Sequence, residues 1–264
     1  MSTLAGVLGF PVGHSRSPAM MNAAFAELGL DWRYLHLPVP PELFEETVRA
    51  LPGSGYRGAN VTIPHKIAAH ELADELTDAA AAIGAVNTLV FEDSGRITGD
   101  NTDAGGLIDA LGEERPASAL VLGAGGAARA AVWALRHMGA EVTIWNRTPE
   151  RARELAGEFG VGWTERPATT ELLVNATSIG LARGDSLEAL PLADAGTVVD
   201  LVYGREPTEL VRWAVRRGAR AIDGLEILVR QGARSFERWT GRPAPVDTMR
   251  RAVSSPVSST SARS

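Results

Sequence analysis

The amino-acid sequence predicts an α/β protein with two domains and a cleft between them. Short apolar runs alternate with helical patterns along the chain, which is typical of parallel α/β architecture. A polar stretch with a proline, EERPAS at 113–118, interrupts this alternation, and a fresh β-α-β pattern begins after it. The length of 264 residues suits one large or two modest domains.

Composition excludes several classes of function. A net charge of -6 gives no electrostatic footprint for nucleic acid or an anionic membrane surface, so a small-molecule partner is expected. The chain has no cysteine, which rules out disulfides, thiolate catalysis and cysteine metal sites. Because neither a secretory signal nor an apolar run of about 18 residues occurs, we expect a cytoplasmic protein. We expect it to be a monomer or homodimer.

The elements of the first part follow from apolar runs and capping residues. A helix is predicted to begin at Ser17, with Ser17 as N-cap and Pro18 at the first helical position. A second helix is expected at 41–51, and a last one at 225–239, beyond which a Ser-rich stretch predicts a disordered tail. Strands are predicted at 4–10, 32–39, 59–63 and 88–91, and later at 171–175 and 197–201.

The second part opens with a dinucleotide-binding pattern. A strand at 119–122 leads into GAGGAA, which fits G-x-G-x-x-A, and a helix to His137 and a strand at 142–145 follow. Alone, such a motif can mark a mere tight turn, but the flanking elements favour a Rossmann-type domain. The second glycine lets the backbone approach a pyrophosphate, and the helix N-terminus supplies unpaired N–H groups. Cofactor contacts are therefore predicted at Gly123, Ala124, Gly125, Gly126 and Ala127.

Residues after the second strand of this unit indicate NADP. An NAD enzyme usually has Asp or Glu there, whereas this chain has Asn146, Arg147 and Thr148, with Arg151 one helical turn on. Guanidinium groups match a 2′-phosphate in charge and geometry. Both arginines could instead be solvated residues of a helix start. Because positive charge in a first helical turn opposes the helix dipole, a bound anion is favoured.

Lys66, in NVTIPHK, is the only lysine beside 25 arginines. A guanidinium stays protonated, whereas an ammonium can donate and recover a proton, so this position is predicted to transfer protons. Asp103 is expected to hold the ammonium, and the two should titrate as a coupled pair. Which of them is formally the acid stays open. A chance placement of the single lysine is the alternative.

Polar clusters at predicted strand ends indicate a substrate site opposite the cofactor site. They are HSRS at 14–17, NVTIPHK at 60–66, and NT at 87–88 followed by DNTD at 100–103. Ser17 and Asp103 could be ordinary helix caps, and Asn60 and Thr62 ordinary turn residues. His65 is expected on the surface beside the site, and with His70 it lacks the spacing of a helical metal pair, so no metal is predicted.

Nine motifs in this order resemble those of the shikimate dehydrogenase family: GFPVGHSRSP, NVTIPHK, GAVNT, GDNTDAGG, GAGGAAR, NRT, NATSIG, DLVYG and GLEILVRQG. The resemblance spans about residues 4–240. It implies a cytoplasmic oxidoreductase of the shikimate pathway, in chorismate and aromatic amino acid biosynthesis, that reduces 3-dehydroshikimate to shikimate with NADPH. We expect an α/β substrate domain at 1–102 completed by a helix at 224–252, an NADP domain at 103–223, an active site between them, and a disordered tail at 253–264.

The resemblance also implies roles for individual residues. Lys66 and Asp103 form the catalytic pair, and Ser15 and Ser17 bind the substrate carboxylate. The substrate hydroxyls are bound by Asn60, Thr62, Asn87, Asp103 and Gln231, and Tyr203 borders the substrate. Near the nicotinamide lie Asn175, Ala176, Thr177, Ser178 and Gly224.

Two positions depart from the family pattern, and two other functions stay open. Met21 replaces a histidine, which should alter packing only, and Tyr203 lacks the usual proline two residues on, which bears on the loop beside the nicotinamide. One alternative is an NAD-using quinate or shikimate dehydrogenase, against which Arg147 and the serine pair argue. The other is a catalytically silent NADP-binding regulator, which would need no proton shuttle.

Overall fold

Each half of the chain forms a six-stranded sheet. The computed structural model describes residues 2–182, 184–204 and 206–254. In this part of the chain no helix is long and apolar enough to cross a membrane.

The first sheet is mixed. Its strands are β1 (Thr3–Gly9), β2 (Trp32–Pro38), β3 (Tyr56–Val61), β4 (Glu75–Leu76), β5 (Thr88–Phe91) and β6 (Ile97–Asp100), in the order β2-β1-β3-β5-β6-β4. Strand β5 is antiparallel to both neighbours, whereas the other pairings are parallel, so this strand departs from the parallel pattern that the sequence indicated. The reason is the short link from β5 to β6, where Glu92 N donates to Arg96 O over 3.0 Å. Such a link makes a hairpin, while a parallel pair needs a crossover.

The second sheet is entirely parallel. Its strands are β7 (Ser118–Leu122), β8 (Glu141–Trp145), β9 (Gly162–Trp163), β10 (Thr170–Asn175), β11 (Ala195–Asp200) and β12 (Arg220–Ile222). The order β9-β8-β7-β10-β11-β12 is that of a doubly wound dinucleotide-binding sheet, so the predicted Rossmann-type domain is confirmed. The strand order reverses between β7 and β10, which is where such sheets bind their ligands.

Helices cover both sheets. They are α1 (Ser17–Glu27), α2 (Phe44–Ala50), α3 (Lys66–Leu72), α4 (Asp78–Ile83), α5 (Thr102–Leu111), α6 (Gly126–His137), α7 (Pro149–Phe159), α8 (Glu209–Arg216), α9 (Gly224–Thr240) and α10 (Val246–Ser254). The predicted helix at 41–51 begins as a 3-10 turn, Pro41–Leu43, before it continues as α2.

The starts of α1 and α5 differ from expectation. Arg16, not Ser17, is the N-cap of α1, and no side chain caps this helix. In α5 the cap is Asn101, whose side chain accepts from Ala104 N over 3.2 Å. Because Ser17 and Asp103 are not caps, their polar atoms face other partners.

The chain's C-terminal helix is two helices rather than one over 224–252. Gly241, with φ +66°, ends α9, and α10 follows after a short link. Val253 and Ser254 belong to α10, so the predicted tail does not begin at 253. The rest of that predicted tail, 255–264, lies outside the described residues.

Helix α9 returns to the first sheet. Phe236 stacks on Phe25 of α1 with ring centroids 5.3 Å apart, and Trp239 donates to Leu89 O over 3.0 Å. Helix α5 approaches α9 closely because Gly106 has no side chain: a Cβ there would lie 2.7 Å from Gln231 N. Helix α5 also packs against α6 of the second sheet, so it joins the two halves at the cleft.

Candidate active site

A cleft separates the two sheets, and most of the predicted site residues line it. From the first sheet and its helices come Ser15, Ser17, Asn60, Thr62, Lys66 and Asn87. Opposite or between them lie Asp103, Ala127, Ala176, Thr177, Ser178, Tyr203, Gly224 and Gln231. Residues distant in the sequence thus share one cavity, as expected at the switch point of a doubly wound sheet.

Lys66 and Asp103 form an ion pair at the centre of the cleft. Lys66 is the first residue of α3, Asp103 lies in the first turn of α5, and Nζ is 2.5 Å from Oδ2. Their side chains are 14% and 18% exposed, so the pair is accessible mainly from the cleft. The first turn of α5 is also favourable for a carboxylate, because it carries the positive end of the helix dipole.

Asn87 links this pair to Gln231. Its Nδ2 donates to Asp103 Oδ1 over 2.8 Å and lies 3.3 Å from Gln231 Oε1. Its Oδ1 accepts from Thr102 N over 2.7 Å, which fixes the orientation of the amide. Gln231 in turn donates to Leu228 O over 2.8 Å. The structure thus brings Asn87, Asp103 and Gln231 together.

A buried polar layer that the sequence did not predict supports Asn60. Tyr34 OH donates to Asn60 Oδ1 over 2.7 Å, and Asn60 Nδ2 donates to Ser235 Oγ over 2.9 Å and to Thr88 Oγ1 over 3.1 Å. Burial raises the pKa of Tyr34 well above its ordinary value, so its hydroxyl stays a donor. The available sequence signal was Ser235, one helical turn after Gln231 on the buried face of α9.

Ser15 and Ser17 lie together at one end of the cleft. Ser15 Oγ donates to Ser17 Oγ over 3.2 Å, and both hydroxyls line the cavity. Burial raises the pKa of Tyr203, against the opposing effect of its hydrogen bond with Ser15, so the phenol is neutral. The pKa of His14 is lowered by burial and by nearby His36, so the imidazole is neutral at pH 7. Tyr203 and His14 are therefore uncharged, and the serine pair itself presents neutral hydroxyl donors.

His65 is buried, so the expectation that it lies on the surface is wrong. It is 2% exposed, its Nε2 lies 2.7 Å from Val39 O, and its ring stacks on Phe44 at 4.4 Å. Burial lowers the pKa of this histidine. Thr62 lines the cleft, and its carbonyl accepts from His65 N over 2.9 Å. His65 thus packs beneath the start of α3 and supports Lys66 from the core side.

The glycine loop between β7 and α6 has the form of an anion site. Gly123, with φ +118°, lies so close to the next turn that a Cβ would be 2.9 Å from Ala176 O. Gly125 is the N-cap of α6, and no side chain caps this helix. Its first N–H groups are therefore available to an anion, and Ala127 faces the cleft. These residues fit a dinucleotide pyrophosphate.

Two exposed guanidinium groups follow β8. Arg147 precedes α7 and Arg151 lies in its first turn. Within 2–182, 184–204 and 206–254, neither has a carboxylate partner. Asn146 Nδ2 donates to Thr148 O over 3.0 Å and so shapes the turn that presents them. Two exposed guanidinium groups in this position suit a phosphate.

Asn175 shapes the next turn from within rather than lining the cleft. It is fully buried, and its Oδ1 accepts from Thr177 Oγ1 over 2.7 Å. Its Nδ2 donates to Asp200 Oδ1 over 2.9 Å. The three residues that follow it, 176–178, form the wall of the cavity.

Asp200 ends β11 and connects Asn175 to the residues that follow β11. Thr208 donates to its Oδ2 over 2.5 Å, and Val202 N donates to its Oδ1 over 3.1 Å. Burial raises the pKa of Asp200 to about 6, while these hydrogen bonds lower it. Val202 then abuts Gly224, where a Cβ would lie 2.5 Å from Val202 O. The importance of this carboxylate was not predicted from the sequence.

The two departures from the family pattern lie in different surroundings. Met21 is fully buried in the core formed with Phe25 and Phe236, which agrees with a change in packing only. The stretch after Tyr203 includes residue 205, which lies outside the described residues.

The fold and the site together define a class of protein: a two-domain dehydrogenase with a dinucleotide site facing a lysine–aspartate pair. Comparison with known proteins gives the family. Residues 7–89 match the shikimate dehydrogenase substrate binding domain, 109–177 the shikimate / quinate 5-dehydrogenase domain, and 224–253 the shikimate 5′-dehydrogenase C-terminal domain.

Full-length relatives agree. The chain is 48% identical over 260 residues to a shikimate dehydrogenase (NADP(+)) of Methylobacterium radiotolerans, covering 91% of this chain and 92% of that one. The structure of the Thermus thermophilus shikimate 5-dehydrogenase in complex with NADP(H) and shikimate superimposes with a TM-score of 0.84 at 41% identity, over 95% and 98% of the two chains. The Aquifex aeolicus enzyme gives a TM-score of 0.88 at 37% identity, over 96% and 98%. The chain belongs to the shikimate dehydrogenase family and is an oxidoreductase, as its motifs predicted.

Proposed function

We propose that this chain reduces 3-dehydroshikimate to shikimate with NADPH, reversibly, by way of Lys66 and Asp103. The observation that carries the proposal is the ion pair of these side chains, whose Nζ and Oδ2 atoms are 2.5 Å apart, in a cleft shared with the glycine loop. The ligands of the Thermus relative, NADP(H) and shikimate, support both the substrate and the cofactor.

The substrate is held by neutral donors and amides on the first-sheet side. Ser15 and Ser17 donate to its carboxylate, and Tyr203 borders it. Hydroxyl groups on the ring are bound by Asn60, Thr62, Asn87, Asp103 and Gln231. The internal hydrogen bonds of Asn87 support this assignment, because an amide already fixed in orientation loses little entropy when it binds.

The cofactor is held by the second sheet. Its pyrophosphate lies on the loop Gly123, Ala124, Gly125, Gly126 and Ala127, and its 2′-phosphate is bound by Asn146, Arg147, Thr148 and Arg151. The nicotinamide end lies by Gly224 and the turn Asn175, Ala176, Thr177 and Ser178, in which Asn175 acts by holding the turn. When bound, NADPH supplies the hydride.

The chain's own residues supply the proton. As the substrate carbonyl carbon gains a hydride, its oxygen gains negative charge and needs a proton from a group within hydrogen-bond reach. The ammonium of Lys66 donates that proton, while the carboxylate of Asp103 keeps Nζ in place and stabilises the positive charge. The lysine then recovers a proton from solvent through the open side of the cleft. In the oxidation of shikimate, the proton moves in the opposite direction, from the substrate hydroxyl to Lys66.

One assay tests this proposal against its rivals. Reduction of NADP with shikimate should be fast, and both quinate and NAD should react at least tenfold more slowly. Comparable rates with quinate and NAD would instead favour a quinate or shikimate dehydrogenase that uses NAD. No turnover with any pair, despite tight NADP binding, would favour a catalytically silent regulator.

We also propose domain limits, an oligomeric state and a location. The substrate domain comprises 1–102 with α9 and α10, and the NADP domain comprises 103–223. The protein acts in the cytoplasm as a monomer or homodimer, which light scattering and fractionation would test.

A further inference from the structure

Gly126, the first residue of α6, lies directly against the single lysine. A Cβ built on Gly126 would come within 2.8 Å of Lys66 Cβ and 3.3 Å of Lys66 Cδ. It would also touch Ala85 Cβ at 3.6 Å. In G-x-G-x-x-A, residue 126 is an unspecified position, so dinucleotide binding by itself does not require glycine there. The contact with Lys66 supplies a different reason for the missing side chain.

The neighbouring glycine behaves differently. A Cβ on Gly125 would meet nothing within 4 Å, and its φ of -95° and ψ of -173° are open to any residue. Gly125 is the second glycine of the motif, whose role is the close approach of backbone to pyrophosphate. The two adjacent glycines therefore differ in their surroundings, because only a Cβ on Gly126 would meet other protein atoms.

Arg129 holds the same turn of α6 in place. It lies three residues after Gly126, on the same face of the helix, and its Nε donates to Ile83 O over 2.7 Å. The guanidinium also pairs with Glu158, and it lies close enough to Gly84 that a Cβ there would be 2.6 Å from Nη2. The first turn of α6 is thus seated on residues 83–85.

Residues 83–86 are in turn bonded to Lys66 and to the cap of the helix that carries Asp103. Val86 N donates to Lys66 O over 2.9 Å. Ala85 O accepts from Asn101 Nδ2 over 2.8 Å, and Asn101 caps the helix that carries Asp103. One continuous set of contacts therefore connects the N-terminus of α6 to the lysine and to the start of α5, which carries Asp103.

We propose that Gly126 is a positioning residue for proton transfer. Its bare backbone lets the first turn of α6 abut Lys66 and sets the position of the ammonium relative to Asp103. The same turn begins the helix that faces the cofactor pyrophosphate, so one contact fixes the lysine relative to the bound dinucleotide. This inference deepens the proposed function and rests on the role proposed for Lys66.

The single lysine makes the test specific, because ¹³C-labelled lysine gives one Cε signal in the NMR spectrum of the cofactor-free protein. Gly126→Ala should shift this signal toward that of Asp103→Asn, in which the ion pair is broken. Gly125→Ala should leave it at the wild-type position. A matched control is Gly157→Ala. Gly157 also lies in a helix, α7, but a Cβ there would meet nothing within 4 Å.

Kinetics and binding complete the comparison. In Gly126→Ala, kcat should fall at least tenfold, and any rise in the Kd for NADP, which the place of Gly126 in the pyrophosphate loop allows, should be smaller than this fall. In Gly125→Ala, NADP binding should weaken at least tenfold without a shift of the lysine signal. An unshifted lysine signal in Gly126→Ala, together with weakened NADP binding, would overturn the inference and assign Gly126 to the pyrophosphate.

If Gly126→Ala does not fold, Arg129→Met takes its place. Loss of the bond to Ile83 O should shift the lysine signal in the same direction by a smaller amount, and an unshifted signal would again overturn the inference. Failure of the proposed function is distinguishable. Full turnover in Lys66→Arg would refute proton transfer by Lys66. The lysine signal of Gly126→Ala would still report whether Gly126 positions the Lys66 side chain.

Discussion

The ammonium of Lys66 lies 2.5 Å from Oδ2 of Asp103, while Asn87 donates to the other carboxylate oxygen over 2.8 Å. Both oxygens therefore have a partner, and the carboxylate cannot rotate without losing one of them. Because the pair lies in a partly dry cleft, its attraction is stronger than that of a surface ion pair. This geometry fixes the ammonium and the carboxylate relative to each other at the centre of the cleft.

Lys66→Arg separates proton transfer from charge. Arginine keeps the positive charge but cannot release a proton, so kcat should fall roughly 10²- to 10⁴-fold. Substrate KM should change much less. Steady-state kinetics with shikimate and NADP measure this, and retained NADP affinity shows that the variant is folded. Near-normal turnover of the arginine variant would refute proton transfer by Lys66.

Asp103→Asn tests whether the two residues act as a unit. Loss of the carboxylate should lower kcat because the ammonium is no longer held. In the double variant, Lys66→Arg with Asp103→Asn, the loss should be far smaller than the product of the single losses, as residues acting together are non-additive. A multiplicative loss would mean that each residue acts independently.

Arg147→Ala with Arg151→Ala tests the choice of cofactor. Each guanidinium lacks a carboxylate partner within the described part of the chain, so both are available to the 2′-phosphate. Losing charge-assisted bonds should weaken NADP binding by roughly 1.5 to 3 kcal/mol and leave NAD binding unchanged. Isothermal titration with both cofactors measures this. The control is Arg153→Ala, since Arg153 lies on the same helix but stacks on Trp163 at 4.6 Å. Equal weakening of NADP and NAD would contradict the assignment.

Ser15→Ala tests the carboxylate site. The hydroxyl pairs with Ser17 over 3.2 Å and lines the cleft, so its loss removes one donor to the substrate. A hydrogen bond to a charged group contributes about 1.5 to 3 kcal/mol, which corresponds to a KM for shikimate raised roughly ten- to hundredfold. NADP affinity should not change. Ser94→Ala, on the β5–β6 hairpin, serves as control, and an unchanged KM in Ser15→Ala would place the carboxylate elsewhere.

The sequence predicted best what is determined locally. The turn at Gly123 needs a positive φ and a close approach to Ala176, and both requirements show in the glycine pattern itself. The convergence of Lys66, Asn87 and Asp103 was predictable because each follows or precedes a strand whose end lies at the cleft.

The remaining features depend on contacts between distant parts of the chain. Asn60 meets Ser235, which lies 175 residues away, and no local pattern indicates that contact. His65 is polar and follows a proline, which favours a surface position, but its stacking on Phe44 overrides that preference. The direction of β5 depends on a five-residue hairpin link and not on the composition of the strand.

Asp200→Asn tests the buried carboxylate behind the cofactor wall. Burial raises its pKa from 3.8 to about 6, so the folded protein binds the proton more tightly than the unfolded chain. The charged form therefore destabilises the fold: this cost is absent below pH 3.8, grows as the pH rises toward 6, and is fully present above it. A shift of this size corresponds to ~3 kcal/mol at pH 7.5 and about half of that at pH 5.

Asparagine removes the charge but keeps an oxygen that can accept from Asn175 and from Val202 N. Relative to wild type, the variant should thus be more stable at pH 7.5 than at pH 5. The difference in its free energy of unfolding from wild type should be larger at pH 7.5 by roughly 1 to 1.5 kcal/mol. Urea unfolding at both pH values measures this difference. Asp93→Asn, at a side chain that is 85% exposed, should show no such dependence on pH. If the relative stability of Asp200→Asn is the same at both pH values, the carboxylate does not carry a raised pKa in the folded protein.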